Sequence, residues 1–394
     1  MTDITQRLLA DIRTIAPEIT ARAAEFEAAR RIPLDMVETL KSIGALRLLV
    51  PRSHGGLELD LPAASKVISA LSRLDGSVGW TSAIASGASV FATFLPRETY
   101  DGIYRSGPNM PLAGSGQPAG TAEAVPGGYR VSGRWPFASG CLHAAFMGGL
   151  CIVTENGKPL PGAPGTKGMP LIKGFVLPAQ EWQIEDTWYV AGLKGTGSHH
   201  IAVKDKFVPE ANFFDLVQGK PCVPGPLYQA LEPLLPLLHA SVSVGIAEGA
   251  VDELVALANT GRQQTQATQP MRETEIFQSE LGRIVADLRA ARAFLDAAVA
   301  EYWRHAQAGT LKDEARYVES RQAAIWLAAT ATRIADACFA LGGSSTLYDA
   351  SPLQRRLRDL HTAGQHASAQ PRHYVAAGKL LLERSVASEK SAAA

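Results

Sequence analysis

The uneven distribution of glycine and proline along the chain is the feature that most restricts its fold. These two residue types total 60 of the 394 residues, and 34 of them lie between Gly107 and Pro226. Both interrupt helices and form turns, so a segment rich in both is expected to hold short strands. The distribution predicts three domains, at residues 1–106, 107–226 and 227–394.

The spacing of apolar residues differs between these segments in the same way. In the first segment, Leu34 to Ile43 follows Pro33 with helical spacing, and proline is a favourable residue at a helix start. In the middle segment, residues 129–135 and 200–208 alternate apolar and polar side chains. Alternation of this kind is typical of half-buried strands. The sequence therefore predicts short helices followed by a β-domain.

The last segment returns to helical spacing. Its apolar residues recur at steps of three and four, as in the stretch from Leu281 to Ala298. Breaks at 261–270, 305–313 and 342–352 predict four long helices, which would pack as an antiparallel bundle. The helices are rich in alanine, so a second copy of the bundle could approach them closely.

Charge and cysteine content exclude several classes of function. The chain has 38 basic and 38 acidic residues and no net charge, which gives no field to attract nucleic acid or anionic lipid. The four cysteines are widely spaced without a CxxC pair, which fits neither a zinc site nor a disulfide framework. No apolar run approaches the ~20 residues needed to span a bilayer, and the N-terminus does not resemble a signal peptide. We expect a cytoplasmic protein that acts on a small molecule.

Common catalytic motifs are missing. The glycine-containing stretches at 114–120 and 195–198 have the wrong spacing for a dinucleotide-binding turn, and the chain has no P-loop or nucleophile elbow. His199 and His200 are adjacent on a predicted strand and would point to opposite faces, so no metal site is predicted. The chemistry must come from other residues.

Five short motifs, in this order, resemble those of the acyl-CoA dehydrogenase family. They are VPRSHGGL at 50–57, QPAGT at 117–121, GLKGTGS at 192–198, ALGG at 340–343 and PLQRRLRD at 352–359. The resemblance spans nearly the whole chain. It implies an α+β, mainly α fold with an N-terminal helical domain, a central β-barrel or sandwich domain and a C-terminal four-helix bundle.

Two further segments resemble one branch of that superfamily. WPFASGCLH at 135–143 is similar to the WxFxSGxxH segment of the oxygenase components of two-component flavin monooxygenases, and RDLHTAGQH at 358–366 to their RDxHxxxxH. These relatives include aromatic hydroxylases and dibenzothiophene monooxygenase. The resemblance implies reduced FMN or FAD delivered by a separate NAD(P)H:flavin reductase, and O2 as cosubstrate. A flavin C4a-hydroperoxide would then insert one oxygen atom into an aromatic or heteroaromatic substrate of phenol or indole type.

A second interpretation is an acyl-CoA dehydrogenase with an unrecognised base. Such enzymes need a carboxylate, commonly in the stretch that reads HASAQPRHY at 366–374 here, which holds no acid. The other usual location, at 231–247, holds only Glu232, which precedes Pro233. A third interpretation is a non-catalytic ligand-binding scaffold of the same fold.

Ser139 and His366 are the predicted catalytic residues. In the resemblance, Ser139 sits at the flavin N5 edge, although a strand-end hydroxyl can also bond its own backbone. His366 would lie at the reactive face, where a neutral imidazole can hydrogen-bond and move a proton; its alternative is a packed histidine near a helix end. His361 would point about 140° away on a continuous helix and is a weaker candidate.

The remaining predicted site residues each also have a structural interpretation. The resemblance and the chemistry of the side chains predict flavin contacts at Trp135, Phe137, Ser139, Gly195, Thr196, Gly197, Ser198, Arg262, Gly342 and Gly343. Substrate contacts are predicted at Ser115, His143 and His239. A homotetramer is expected through the C-terminal bundles, with Gly342 and Gly343 near a neighbouring subunit's flavin.

Overall fold

The computed structural model describes residues 3–163, 168–263 and 267–392, with side chains up to residue 383. The chain divides into two compact units. The first unit comprises Met1–Asp60, Trp80–Val190 and Lys194–Gln229, and the second comprises Leu61–Gly79, Ala191–Leu193 and Ala230–Ala394. The succession of helices, strands and helices follows the predicted segments. The limits 1–106, 107–226 and 227–394 stay a prediction as domain boundaries.

The N-terminal third is helical, as predicted. Its helices are α1 (Asp3–Ala21), α2 (Ala23–Ala29), α3 (Leu34–Ile43), α4 (Leu61–Leu74), α5 (Gly76–Ala92) and α6 (Arg97–Ile103). The prediction for α3 is confirmed to the residue. Asp75 caps α5, since its carboxylate accepts the backbone N–H groups of Ser77 and Val78 at 2.9 and 3.1 Å.

The middle third forms one mixed sheet. Its strands are β1 (Leu112–Val125), β2 (Gly128–Trp135), β3 (Phe146–Glu155), β4 (Lys158–Pro159), β5 (Ile172–Pro178), β6 (Gln183–Glu185), β7 (His200–Pro209) and β8 (Phe213–Phe214). The order is β6-β7-β2-β1-β3-β5-β8, with β4 paired to β3. Only β1 and β3 run parallel among the described strand pairs, and their register shifts between Ser115 and Gly120.

Trp135 occupies the centre of the sheet's core. It has no exposed surface, and its indole N–H donates to the Leu150 carbonyl at 2.7 Å. A Cβ added at any of three glycines would come within 3 Å of its ring. These are Gly120, Gly133 and Gly149. The three glycines leave the space that the large ring fills, and this packing fixes the end of β2.

The C-terminal third holds five described helices rather than the four predicted. They are α7 (Leu234–Asn259), α8 (Glu275–Ala308), α9 (Glu314–Gly342), α10 (Pro352–Ala363) and α11 (Tyr374–Ala392). The predicted fourth helix is wrong because two 3-10 turns, Ala367–Ala369 and Pro371–His373, separate α10 from α11.

The α7 helix is buried over most of its length, from Leu234 to Val251. Two stretches, α7 and Glu314–Leu347, are long and apolar enough by composition to cross a membrane, so the expectation that no segment reaches this limit is wrong. Within α7, 89% of the apolar window is buried inside the protein, which a core helix of a soluble protein also shows. Its first half, up to Ala247, carries no acidic or basic residue other than His239, and its serine, glycine and alanine residues allow close packing.

Two residues of the PLQRRLRD motif have structural roles in the second unit. Arg356 is 2% exposed and donates to the carbonyls of Ser72, Arg73 and Leu74, the last turn of α4, at 2.7 to 3.1 Å. It also pairs with Glu253 at 2.9 Å. A helix C-terminus leaves its last carbonyls without helical partners, and a cation satisfies them well. Asp359, the last residue of the motif, accepts the Leu193 N–H at 2.6 Å.

Candidate active site

The turn after β2 carries the first part of the site. Phe137 has a left-handed backbone (φ 64°) and is 57% exposed, and Gly140 follows with φ 78°. A bulky residue rarely adopts this conformation, and such strain is concentrated at functional sites. The Gly140 N–H donates to the Thr196 carbonyl at 2.9 Å, so this turn is tied to the 3-10 turn Lys194–Thr196.

Three hydroxyl groups lie in a row where the two turns meet. Ser139 Oγ is 2.6 Å from Ser198 Oγ, which is 2.7 Å from Thr196 Oγ1. All three residues are at most 5% exposed. We call Ser139, Ser198 and Thr196 the hydroxyl row. The structure thus brings Ser139, predicted from the segment at 135–143, together with Thr196 and Ser198 of the predicted turn at 195–198.

Trp80 of α5 holds one end of the hydroxyl row and was missed by sequence reasoning. Its indole Nε1–H donates to Ser139 Oγ at 3.0 Å. The sequence signal that could have identified Trp80 is its position as a single tryptophan among small residues in a helix. A buried indole N–H usually needs a hydrogen-bond acceptor, so such a tryptophan predicts a polar partner. Nothing in the sequence names that acceptor, which lies 59 residues away.

The two aromatic residues predicted to contact flavin in this segment, Trp135 and Phe137, differ in how far they are exposed. Trp135 is enclosed in the sheet core, whereas Phe137 is exposed and makes edge contacts with Trp188 and His200, at ring distances of 6.3 and 6.4 Å. Of this pair, only Phe137 has an exposed aromatic surface, and Trp135 packs in the sheet core at the end of β2.

A stacked histidine pair lies in the second unit. The rings of His239 and His366 are 4.9 Å apart and nearly parallel, at 19°. His239 Nε2 lies 3.0 Å from the Ala363 carbonyl, so this nitrogen carries the proton. His366 Nδ1 accepts the Ser368 N–H at 3.2 Å, so the neutral ring carries its proton on Nε2.

Both histidines of the pair are neutral at physiological pH. Burial and the nearby His366 lower the pKa of His239 to about 3, although the Ala363 carbonyl acts in the opposite direction. Desolvation by the surrounding protein and the charge of Arg321 lower the pKa of His366 to about 4. His366 also keeps an exposed side. Its Nε2–H is therefore a neutral hydrogen-bond donor rather than a permanent cation.

His361 and His366 do not lie on one continuous helix, as the sequence prediction assumed, because α10 ends at Ala363 and His366 begins the next turn. His361 pairs with Asp336 at 2.8 Å, whereas the His366 ring stacks on His239. That His361 is the weaker candidate stays a prediction.

Arg262 lies beside the glycine turn at the end of α9. Its Nη2 is 3.3 Å from Ser344 Oγ, next to Gly342 and Gly343, and Gly343 has φ 66°. No carboxylate among the described residues pairs with Arg262. A guanidinium beside a hydroxyl and a glycine turn can hold a phosphate oxygen.

The two residues of the first unit that were predicted to contact substrate, Ser115 and His143, lie in different parts of that unit. Ser115 lies where the register between β1 and β3 shifts, and its Oγ accepts the Gln117 N–H at 3.4 Å. His143 is half-buried with its ring against Gly140. Desolvation, with Lys41 and Arg31 nearby, lowers the pKa of His143 to about 4.

The carboxylates of α7 are all engaged by arginines. Glu248 pairs with Arg292 at 2.7 Å, and the helix's remaining two acids, Asp252 and Glu253, pair with Arg73 and Arg356. Glu232 precedes the first residue of α7, as predicted. Among the described residues, every carboxylate of this helix therefore has an arginine partner. None is unpaired, as the base of a dehydrogenase would be.

Sequence comparison matches both ends of the chain to one family. Residues 3–95 match the acyl-CoA dehydrogenase N-terminal domain, and residues 237–371 match the acyl-CoA dehydrogenase C-terminal domain. Indole-3-acetate monooxygenase of Pseudomonas putida is 34% identical over 88% of this chain and 86% of its own length. The flavin-dependent monooxygenase oxygenase subunit HsaA of Mycobacterium tuberculosis is 30% identical over 96% and 97%.

Solved structures agree with these matches. The crystal structure of HsaA from M. tuberculosis superposes with a TM-score of 0.85 at 27% identity, over 96% of this chain and 97% of that one. XiaF from Streptomyces, in complex with FADH2 and glycerol, superposes with a TM-score of 0.84 at 26% identity, over 93% and 92%. The predicted fold class is confirmed. The chain belongs to the acyl-CoA dehydrogenase family and, within it, to the oxygenase components of flavin-dependent monooxygenases.

Proposed function

We propose that the protein uses reduced flavin and O2 to hydroxylate an aromatic small molecule of phenol or indole type, with Ser139 and His366 as its catalytic residues. The observation that supports this proposal is the hydrogen bonding of the Ser139 hydroxyl. Its buried hydroxyl has two partners, Trp80 and Ser198, and one bonding position that no described residue uses. Indole-3-acetate monooxygenase, by its name, acts on such a heteroaromatic compound.

The hydrogen-bonding and aromatic groups of the predicted site residues fit a flavin. Ser139 offers one hydroxyl bonding position to a polar ring edge, and the exposed Phe137 beside it offers an aromatic surface. Arg262 and Ser344 would hold a phosphate oxygen of FMN or FAD. Bound reduced flavin supplies the electrons that activate O2.

His366 would hold a proton at its Nε2 atom and use it to donate a hydrogen bond to a negatively charged oxygen. Its pKa is lowered to about 4, so the ring gives this hydrogen bond as a neutral donor near neutral pH and adds no charge of its own. His239 keeps the ring of His366 in place by stacking and through the Ala363 carbonyl. We propose His143 and Ser115 as hydrogen-bonding groups for the substrate.

The test measures product formed and H2O2 released per O2 consumed, with reduced FMN and FAD and a panel of phenols and indoles. We expect Ser139→Ala to lower the yield of product and raise H2O2, while Ser132→Ala, an exposed strand serine, leaves the yield unchanged. We expect His366→Ala to slow O2 consumption about a hundredfold, against no effect of His361→Ala. Wild-type yield and rate in both variants would contradict the assignment. Anaerobic flavin reduction by an acyl-CoA would favour a dehydrogenase instead.

The partners follow from the same proposal. The reduced flavin would come from a separate NAD(P)H:flavin reductase, so the purified protein is expected to be largely colourless and to bind reduced flavin more tightly than oxidised flavin. A homotetramer stays a prediction, supported by exposed apolar residues such as Ile276 and Leu381 on the bundle helices. Light scattering at micromolar concentration checks it. The cytoplasmic location also stays a prediction.

A further inference from the structure

Arg321 of α9 is a half-buried cation that is held by two uncharged side chains. Its Nη1–H donates to Nδ1 of His373 at 3.2 Å, and its guanidinium carbon lies 4.7 Å from the centre of the Tyr317 ring. Desolvation lowers the pKa of His373 and raises the pKa of Tyr317, so both side chains are neutral near pH 7. They hold the guanidinium in one position without neutralising its charge.

One edge of this guanidinium is open. Its Nε–H is buried and has no acceptor among the described residues, and Nη2 forms no hydrogen bond with them either. No described carboxylate forms an ion pair with Arg321, although the charge of Glu232 acts on Tyr317. A buried donor of a charged group costs free energy when it lacks an acceptor, so this edge is suited to bind an anion.

Partly buried arginines elsewhere in the second unit have carboxylate partners of their own. Three of them pair with glutamates at 2.7 to 2.9 Å, namely Arg292 with Glu248, Arg316 with Glu319 and Arg356 with Glu253. A partly desolvated charge that lacks such a partner destabilises the folded protein. The anion that Arg321 lacks is therefore expected to come from a ligand.

Arg321 contacts the same short segment that contains His366. This segment joins α10 to α11, and its 3-10 turns, Ala367–Ala369 and Pro371–His373, pack against α9. The charge of Arg321 contributes, after desolvation, to the lowered pKa of His366, so the two side chains are electrostatic neighbours. The open edge of Arg321 is thus close to the residue that we propose to act at the substrate.

We propose that Arg321 binds a carboxylate on the substrate, so that the protein acts on aromatic acids in preference to neutral phenols and indoles. This inference rests on the proposed function and narrows its substrate class. The two oxygens of a carboxylate match the N–H groups of Nε and Nη2 in a bidentate pair. Arg321 determines specificity in this proposal and takes no part in oxygen transfer.

Paired ligands that differ in charge but hardly in shape test the proposal. The pairs are indole-3-acetate with indole-3-acetamide and hydroxyphenylacetate with hydroxyphenylacetamide. Calorimetric titration of the protein with reduced FMN or FAD, without O2, measures each affinity before any turnover. We expect the wild-type protein to bind the acid of at least one pair about tenfold more tightly than its amide, as one hydrogen bond to a charged group allows.

Arg321→Gln removes the charge and keeps a donor. We expect the acid to bind about tenfold more weakly and the amide to stay within about twofold of the wild type, so the preference is lost. Arg321→Lys keeps the charge and should restore part of the preference. Arg333→Gln is the matched control and should keep the wild-type preference, because Arg333 lies on the same helix but is exposed and donates to Thr330 Oγ1. A merely structural role, through the bond to His373, would weaken the acid and the amide alike.

The outcomes separate this proposal from the proposed function. Equal affinity for acid and amide in the wild type, or an unchanged acid preference in Arg321→Gln, overturns the carboxylate site; product formed from neutral phenols or indoles then leaves the proposed function standing. A loss of affinity in Arg321→Gln for reduced FMN but not for reduced riboflavin also overturns it, because the anion at Arg321 would then be the flavin phosphate. An acid preference that depends on Arg321, with no oxygenated product from any phenol or indole, overturns the proposed function alone.

Discussion

Replacement of His239 by glutamine tests whether this buried histidine makes the protein sensitive to acid. The residue is 5% exposed, and its pKa is lowered to about 3, whereas a histidine in the unfolded chain has a pKa near 6.5. Below pH 6.5 the unfolded chain binds a proton that the folded protein does not bind. The stability from the neutral ring is therefore complete above pH 6.5 and is lost as the pH falls toward 3.

The size of the effect follows from the difference between the two pKa values. Between pH 6.5 and pH 5, an interval of about 1.5 pH units, the histidine of the unfolded chain is protonated and that of the folded protein is not. At about 1.4 kcal/mol per unit, the free energy of unfolding falls by about 2 kcal/mol between pH 7 and pH 5 because of this residue alone. Glutamine can keep the donor to Ala363 and does not titrate, so His239→Gln should lack this part of the loss.

Urea unfolding at pH 7 and at pH 5 measures the difference, followed by tryptophan fluorescence. We expect the wild-type protein to lose about 2 kcal/mol more than His239→Gln on acidification. Ser243→Ala is the matched control, because Ser243 is fully buried and donates to the His239 carbonyl but does not titrate. Its stability should follow the wild-type pH dependence. Equal acid losses in the wild type and in His239→Gln would refute the reasoning.

Three further changes test the packing described above, each by urea unfolding at neutral pH. Arg356→Met should cost about 3–5 kcal/mol, because it leaves the half-buried carboxylate of Glu253 and the last carbonyls of α4 without their cation, while Arg355→Met in the same helix should cost much less. Gly192→Ala should cost about 1–3 kcal/mol or more, since its Cβ would lie 2.1 Å from the Arg358 carbonyl oxygen, part of the backbone. Gly282→Ala should instead stabilise the protein by about 0.5–1 kcal/mol, because the site is an exposed helix position with open space around it.

Sequence patterns identified the elements of the fold because they depend on nearby residues. The helix at Leu34–Ile43 follows from one apolar face and a proline before it, and β2 and β7 follow from alternation between turns. The end of α10 was also marked locally, by Gly364 directly after Ala363, although the prediction continued the helix to His366.

The sequence by itself determined the family, the order of elements and the candidate residues Ser139 and His366, because short motifs and periodicity are local properties of the chain. Only the tertiary structure decided what these residues touch. The contact of Ser139 with Trp80 joins residues 59 positions apart, and the bonds of Arg356 to the end of α4 span more than 280. Such partners depend on how whole elements pack, and no local pattern encodes that packing.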